Sequence, residues 1–277
     1  MIWVDGVLVD DDAARISPMD HGLLTGDGVF ETLRVYGGVP FAWNRHLARL
    51  GHSAGALGLR PPADETLRDA ADAVIAANGL PECRLRITVT GGVAPLGSER
   101  GEVPPTVVVA TGELRAWPPT ADVVVVPWCR NERGATAGLK TTSYAENVRA
   151  LALAHERGAD EAIFPNTHDQ LCEGTGSNVF LVVDGDLHTP PLASGCLAGV
   201  TRDLVIALAD RTGIVCMERA EPIDALARAE EAFLTSSTRE VHPIAHVDGQ
   251  ALPQAPGPIT TRLQAAWREL LAHDLDP

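Results

Sequence analysis

The stretch Gly28-Val29-Phe30-Glu31-Thr32-Leu33-Arg34-Val35-Tyr36 reads as one long strand of period two. Glu31, Leu33 and Val35 share one face, and Thr32, Arg34 and Tyr36 share the other. The strand ends on Gly37-Gly38 and is answered by a return strand over 39–43, so the chain folds back into a sheet with two unlike faces. An apolar sheet face must be covered, and the following residues supply the cover. Residues 45–57, with Asn44 as cap, and residues 64–77, closed by Asn78-Gly79, have helical spacing. Two more strands follow at 84–90 and 106–110. The loop between them is rich in Gly and Pro and has the length of a binding loop or lid. Upstream, Asp5-Gly6 between Trp3-Val4 and Val7-Leu8-Val9 signals a hairpin.

Composition shifts at Trp117-Pro118-Pro119-Thr120-Ala121. The reading is therefore an α/β chain of two domains: 1–116, a linker over 117–121, and 122–277. The second half has strands at 123–126, 161–164, 179–183 and 231–235, and helices at 144–157, 201–212, 225–229 and 261–272. With 277 residues, 45% hydrophobic and 21% charged, the chain has the composition of a globular protein. A formal charge of −15 argues against nucleic acid as a partner. No apolar run reaches membrane-spanning length, and the first residues do not read as a signal peptide. The five cysteines are widely spaced, as in reduced cytoplasmic proteins, and no histidine pattern predicts a metal.

Of the 22 basic residues, one is lysine: Lys140. A chain that uses Arg wherever positive charge suffices, yet keeps a Lys, points to chemistry that Arg cannot perform. Arg stays protonated, whereas a desolvated Lys can form a Schiff base with a carbonyl. Pyridoxal phosphate is the commonest carbonyl cofactor, and it offers an aldehyde, a pyridine nitrogen and a phosphate. Leu197-Ala198-Gly199-Val200-Thr201 precedes a helix, where free N–H groups and the macrodipole favour an anion. By itself this stretch reads more readily as a plain capped helix than as an anion site. Ser236 and Ser237 could add donors, and Arg49 could add charge. Glu173, between two apolar strands and followed by Gly174-Thr175-Gly176, suits a pyridine nitrogen or an ordinary loop.

In order and spacing these motifs resemble the fold-type IV pyridoxal-phosphate enzymes, the class IV aminotransferases. That group includes D-amino-acid and branched-chain aminotransferases and aminodeoxychorismate lyase. The resemblance runs from Asp5 to Gly249 and includes Asp20-His21-Gly22 and Gly26-Asp27-Gly28-Val29-Phe30-Glu31. It implies that Lys140 is the Schiff-base lysine and catalytic acid/base, Arg49 a phosphate ligand, and Glu173 the partner of the pyridine nitrogen. It further implies Leu197 under the ring, and Gly199, Val200, Thr201, Ser236 and Ser237 around the phosphate. The implied fold has a small N-terminal α/β domain and a larger barrel-like C-terminal domain. A homodimer is implied too, with amino acids and 2-oxo acids as substrates.

Within that family the chain departs from each branch. D-amino-acid aminotransferases resemble a pattern with Tyr where this chain has Phe30, and with an Arg-x-His pair where it has Leu96-Gly97-Ser98. Branched-chain enzymes have one more residue before Tyr144. The bacterial lyases have Thr at Glu31 and an arginine near Leu96. The reading is a D-amino-acid aminotransferase with an atypical carboxylate trap, in which Phe30, Arg34, Arg100 and Tyr144 contact substrate. The alternatives are aminodeoxychorismate lyase, then a branched-chain L-amino-acid aminotransferase.

Overall fold

The computed structural model describes residues 1–277, which divide into two compact units. One comprises residues 1–115, 139–144 and 275–277; the other comprises 116–138 and 145–274.

The first unit holds β1 (Ile2–Val4), β2 (Val7–Val9), α1 (His21–Leu24), β3 (Gly28–Tyr36), β4 (Val39–Pro40), α2 (Trp43–Ala56), α3 (Asp64–Asn78), β5 (Cys83–Thr90) and β6 (Val107–Gly112). Its sheet runs β2-β1-β6-β5-β3-β4, antiparallel throughout. Period two holds: Val29, Leu33 and Val35 of β3 and Leu85, Ile87 and Val89 of β5 are buried with Leu47, Leu50, Leu67 and Val74 of the two helices. Each such side chain contributes roughly 1.5–3 kcal/mol on burial, so this one face accounts for most of the unit's cohesion. The opposite face, with Thr32, Arg34 and Tyr36, stays partly open.

Two local expectations fail at the return strand. β4 stops at Pro40, because Ala42 turns into the left-handed region (φ 52°) and caps α2 two residues early. Asn44 is therefore inside the helix, not its cap, and its side-chain amide donates to Asp276. The Lys140 segment also departs from the sequence assignment, which placed it with the C-terminal half. It lies along β3: Phe30 N–H donates to the Lys140 carbonyl at 3.1 Å, and Thr142 N–H to the Gly28 carbonyl at 2.8 Å.

The second unit contains β7 (Ala121–Val125), α4 (Ala145–Glu156), β8 (Glu161–Pro165), β9 (Leu171–Gly174), β10 (Asn178–Val183) and β11 (Asp186–Thr189). Then come α5 (Val200–Arg211), β12 (Cys216–Glu218), α6 (Ala225–Arg228), β13 (Ala232–Ser236), β14 (Glu240–Val247), β15 (Gln250–Ala251) and α7 (Pro258–His273). Strand order is β12-β11-β10-β13-β14-β7-β8-β9, with β15 pairing off β14. The sheet curls back where β9 turns into β10: Gly174 N–H donates to the Ser177 carbonyl at 2.8 Å. That turn carries Glu173 at its entry and Asn178 at its exit. Val123, Ile163, Val179, Leu181, Leu234 and Ile244 form the core beneath it. No helix is long and apolar enough to cross a membrane.

Candidate active site

In the first unit, Lys140 is half-buried, and its backbone N–H donates to Ser53 Oγ of α2 at 3.2 Å. Its Nζ lies 4.4 Å from the centroid of the Phe30 ring and 5.9 Å from that of Tyr144. The two rings meet edge to face at 5.1 Å. Phe30, Lys140 and Tyr144 are thus brought together.

Glu31 points the other way, into the apolar face, and is fully buried. It survives there because α2 places Arg49 and His46 against it. Arg49 donates from Nε to Oε1 at 2.8 Å and from a terminal nitrogen to Oε2 at 2.7 Å, a bidentate fork. His46 Nδ1, 2.7 Å from Oε2, must carry the proton, since a carboxylate only accepts. Burial pushes the Glu31 carboxyl up, but the charge and hydrogen bonds of Arg49, then of His46, hold it far below the usual carboxylate range. Burial in turn lowers the pKa of His46, with Glu31 opposing.

The other sequence-derived arginines engage different partners. Arg34 pairs with Glu82 at 3.7 Å and lies over the Tyr36 ring at 4.6 Å. Arg100 is tied into the long loop, with Nε 3.2 Å from Asp27 and a terminal nitrogen donating to the Leu57 carbonyl at 2.6 Å. The cation stacked on the Phe30 ring is Arg86, at 3.6 Å. Its Nε donates to Thr88 Oγ1 at 3.2 Å, and no carboxylate lies within ion-pair distance of it. Desolvation lowers its pKa; Tyr144 opposes this and the charge of Arg84 adds to it. Sequence reading missed Arg86 because it is one arginine among 21. The usable signal was the alternation of β5: Arg86 lies opposite Thr32, so it shares the open face of β3.

In the second unit, Glu173 Oε2 accepts from the Leu197 N–H at 2.9 Å and Oε1 from Arg130 Nε at 3.0 Å. Leu197 is further fixed by Asn178, whose amide donates to its carbonyl at 2.8 Å. Gly199 precedes α5 with no side-chain cap, leaving the first N–H groups of Val200 and Thr201 at a bare helix terminus. A Cβ at Gly199 would sit 2.0 Å from Asn178 Oδ1, so only glycine permits this close approach. Asn178 is paired with Thr235 across β10 and β13, so their side chains share a face. The buried Thr235 hydroxyl has no hydrogen-bond partner. Ser236 and Ser237 follow directly, and Ser236 Oγ accepts from the Arg239 N–H at 3.1 Å. Thr235 and Arg130 were not anticipated. Neither has a distinctive local motif, and each acquires its place through strand pairing.

The chain belongs to the class IV aminotransferases: residues 28–247 match the family model described as amino-transferase class IV. It is 33% identical over 279 residues to a D-alanine aminotransferase of Listeria innocua, covering 95% of this chain and 93% of that one. To a branched-chain-amino-acid aminotransferase of Pseudomonas aeruginosa it is 30% identical over 286 residues, 98% of this chain and 93% of that one. The structure of a branched-chain amino acid aminotransferase from Escherichia coli superposes with a TM-score of 0.92 at 29% identity, over 97% of this chain and 93% of that one.

Class IV aminotransferases depend on pyridoxal phosphate, and the fold-type IV architecture is that of this chain. Its own residues fit the cofactor. The bare start of α5 and the orphaned Thr235 hydroxyl suit a phosphate. The half-buried carboxylate of Glu173 suits a ring nitrogen, and Lys140 has an amine suited to the aldehyde.

Proposed function

We propose that this chain is a D-amino-acid aminotransferase, exchanging the amino group of a D-amino acid for the oxo group of a 2-oxo acid. The observation that carries the amino-acid part is the open face of β3 and β5. Arg86 stands there on the Phe30 ring without a carboxylate partner, and Lys140 Nζ lies on the same ring. A guanidinium so placed suits the substrate carboxylate, in the role the sequence assigned to Arg34 or Arg100. The D preference draws on the short spacing from Lys140 to Tyr144 and on the D-alanine aminotransferase relative.

When bound, pyridoxal phosphate supplies a carbonyl carbon that accepts the amine and a ring that withdraws electrons. Lys140 would hold it, and the freed ε-amine would carry the proton between the substrate Cα and the carbon that was the cofactor's carbonyl, across the transferred nitrogen. Glu173 would keep the ring nitrogen protonated. Val200, Thr201, Thr235, Ser236 and Ser237 would hold the phosphate, Arg49 would add charge there, and Leu197 would lie under the ring. Phe30 and Tyr144 would exclude water from the reacting atoms. We further assign the active form as a cytoplasmic homodimer.

A second reading, a branched-chain L-amino-acid aminotransferase, is favoured by relatives of that name at similar identity. The holoenzyme, titrated without any oxo acid, separates the two. Loss of the visible absorbance band on adding D-alanine but not L-leucine is the expected result. Loss with L-leucine alone selects the second reading, and loss with neither selects the lyase. Arg86→Gln should raise KM for the amino acid about tenfold or more, since a hydrogen-bonded ion contact of this kind is worth roughly 1.5–3 kcal/mol. An unchanged KM removes Arg86 from the substrate site.

A further inference from the structure

Glu173 is oriented from two sides, and the more informative side is Arg130. This arginine follows β7, where its backbone N–H donates to the Pro165 carbonyl at 2.8 Å. Its guanidinium lies over the Phe164 ring at 4.0 Å, and Phe164 is the cross-strand partner of Glu173. Nε goes to Glu173 Oε1 at 3.0 Å, while a terminal nitrogen goes to Asn147 Oδ1 at 3.0 Å and lies 3.5 Å from Glu146. Asn147 is buried and is itself fixed by its bond to the Thr175 carbonyl. A guanidinium held at a ring, an amide and a carboxylate cannot swing aside. Only a fork reaches Glu173 and Asn147 together, so Lys would not reproduce the geometry.

The pair is not of the screened surface kind. Side-chain exposure is 15% for Arg130 and 13% for Glu173, so both charges have left most of their water. Each Glu173 oxygen accepts from a donor fixed elsewhere, Oε2 from the Leu197 N–H and Oε1 from Arg130 Nε. These two donors fix the orientation of the carboxylate, and one of them carries a permanent positive charge.

We infer that Arg130 is a positioning residue that aims Glu173 and, by drawing on its negative charge, limits how tightly the cofactor's ring nitrogen holds its proton. The inference rests on the reading of Glu173 given above. Loss of the cation makes proton uptake easier everywhere near that end of the site. A merely structural Arg130, tying the loop after β7 to α4, would affect folding but not proton affinity.

The test is a pH titration of the visible band of the holoenzyme, with steady-state kinetics alongside, for wild type, Arg130→Gln and Arg130→Lys. Arg130→Gln should move the band's midpoint upward by about one pH unit, as expected for one charge removed within several ångströms. It should also lower kcat about tenfold while changing KM less. Arg130→Lys should return the midpoint toward wild type, because the charge is kept, but should leave kcat low, because the fork is lost. Unchanged midpoints in both variants, with only a lowered melting temperature, would overturn the inference. If Arg130→Gln does not fold, Arg130→Lys decides alone, since a wild-type kcat there would refute the aiming role. A wild-type chain that binds pyridoxal phosphate with no visible band would overturn the underlying reading of the site, and this inference with it.

Discussion

Two glutamate–arginine pairs, one in each unit, have opposite designs. Glu31 is fully buried, and both its oxygens are taken by the fork of Arg49, with His46 adding a third bond. Glu173 keeps 13% of its side chain exposed, with Arg130 donating to one oxygen and the Leu197 N–H to the other. The first pair is closed on the carboxylate side: Glu31 is fully bonded inside the protein, fixing β3 to α2 and setting the orientation of Arg49. The second is only partly buried, so its carboxylate is still reached from outside the protein. The same two residue types therefore serve architecture where the carboxylate is wholly buried and suit chemistry where part of it stays exposed.

The largest effect expected from this contrast is on folding. Glu31→Gln removes the fully buried carboxylate that the Arg49 fork and His46 bond to, and should cost about 3–5 kcal/mol in urea unfolding, the range for breaking a buried pair. A loss below about 1 kcal/mol would mean that water reaches the cluster. Glu173→Gln should show the opposite balance. Its unfolding midpoint should fall much less than that of Glu31→Gln, since Arg130 keeps Glu146 and Asn147, while kcat falls about 100-fold or more because the ring nitrogen loses its anionic partner. If Glu173→Gln unfolds as readily as Glu31→Gln, the two pairs are not different in kind.

The closed cluster also sets a pH dependence. His46 has a folded pKa below 6.5, so the unfolded chain takes up that proton first and stability declines as pH falls below this value. Glu31 has a folded pKa depressed from 4.5, so its contribution is complete above about 4.5 and is lost as pH falls further. Urea midpoints from pH 8 to pH 3 should fall in two stages for wild type, and Glu31→Gln should lack the lower one. Glu173→Gln should keep both.

The smallest effect concerns the thiols near the second pair. Cys172 and Cys196 flank the Glu173 region and are buried; burial raises both, Cys196 to about 11. Cys83 is also raised by burial, and Cys216 is pushed to about 11, whereas Cys129 is exposed. A thiol reagent should modify Cys129 first in the native protein, with Cys172 and Cys196 reacting only on unfolding. Early modification of Cys172 would show that the Glu173 strand opens readily.

The contrast also explains what could be read from the sequence. Lys140 stood out because the chain uses no other lysine, and Glu173 because a carboxylate between apolar strands is unusual. The strand over Gly28–Tyr36 and its two faces followed from period two alone. Arg49 looked like any helix-surface arginine, because its fork onto Glu31 exists only once α2 covers β3. Arg130 and Arg86 were hidden for the same reason: each is one of many arginines, and its partner lies across a strand pairing or a loop. The early start of α2 was invisible because it depends on Ala42 adopting a left-handed backbone, which no residue type there announces.

The central claim is that Lys140 is the residue that binds the cofactor's carbonyl. The direct measurement is to load the protein with pyridoxal phosphate, reduce it with borohydride, digest it and locate the added mass by peptide mapping. The account predicts one stable pyridoxyl group per chain, on Lys140. A label elsewhere, or none, would contradict it.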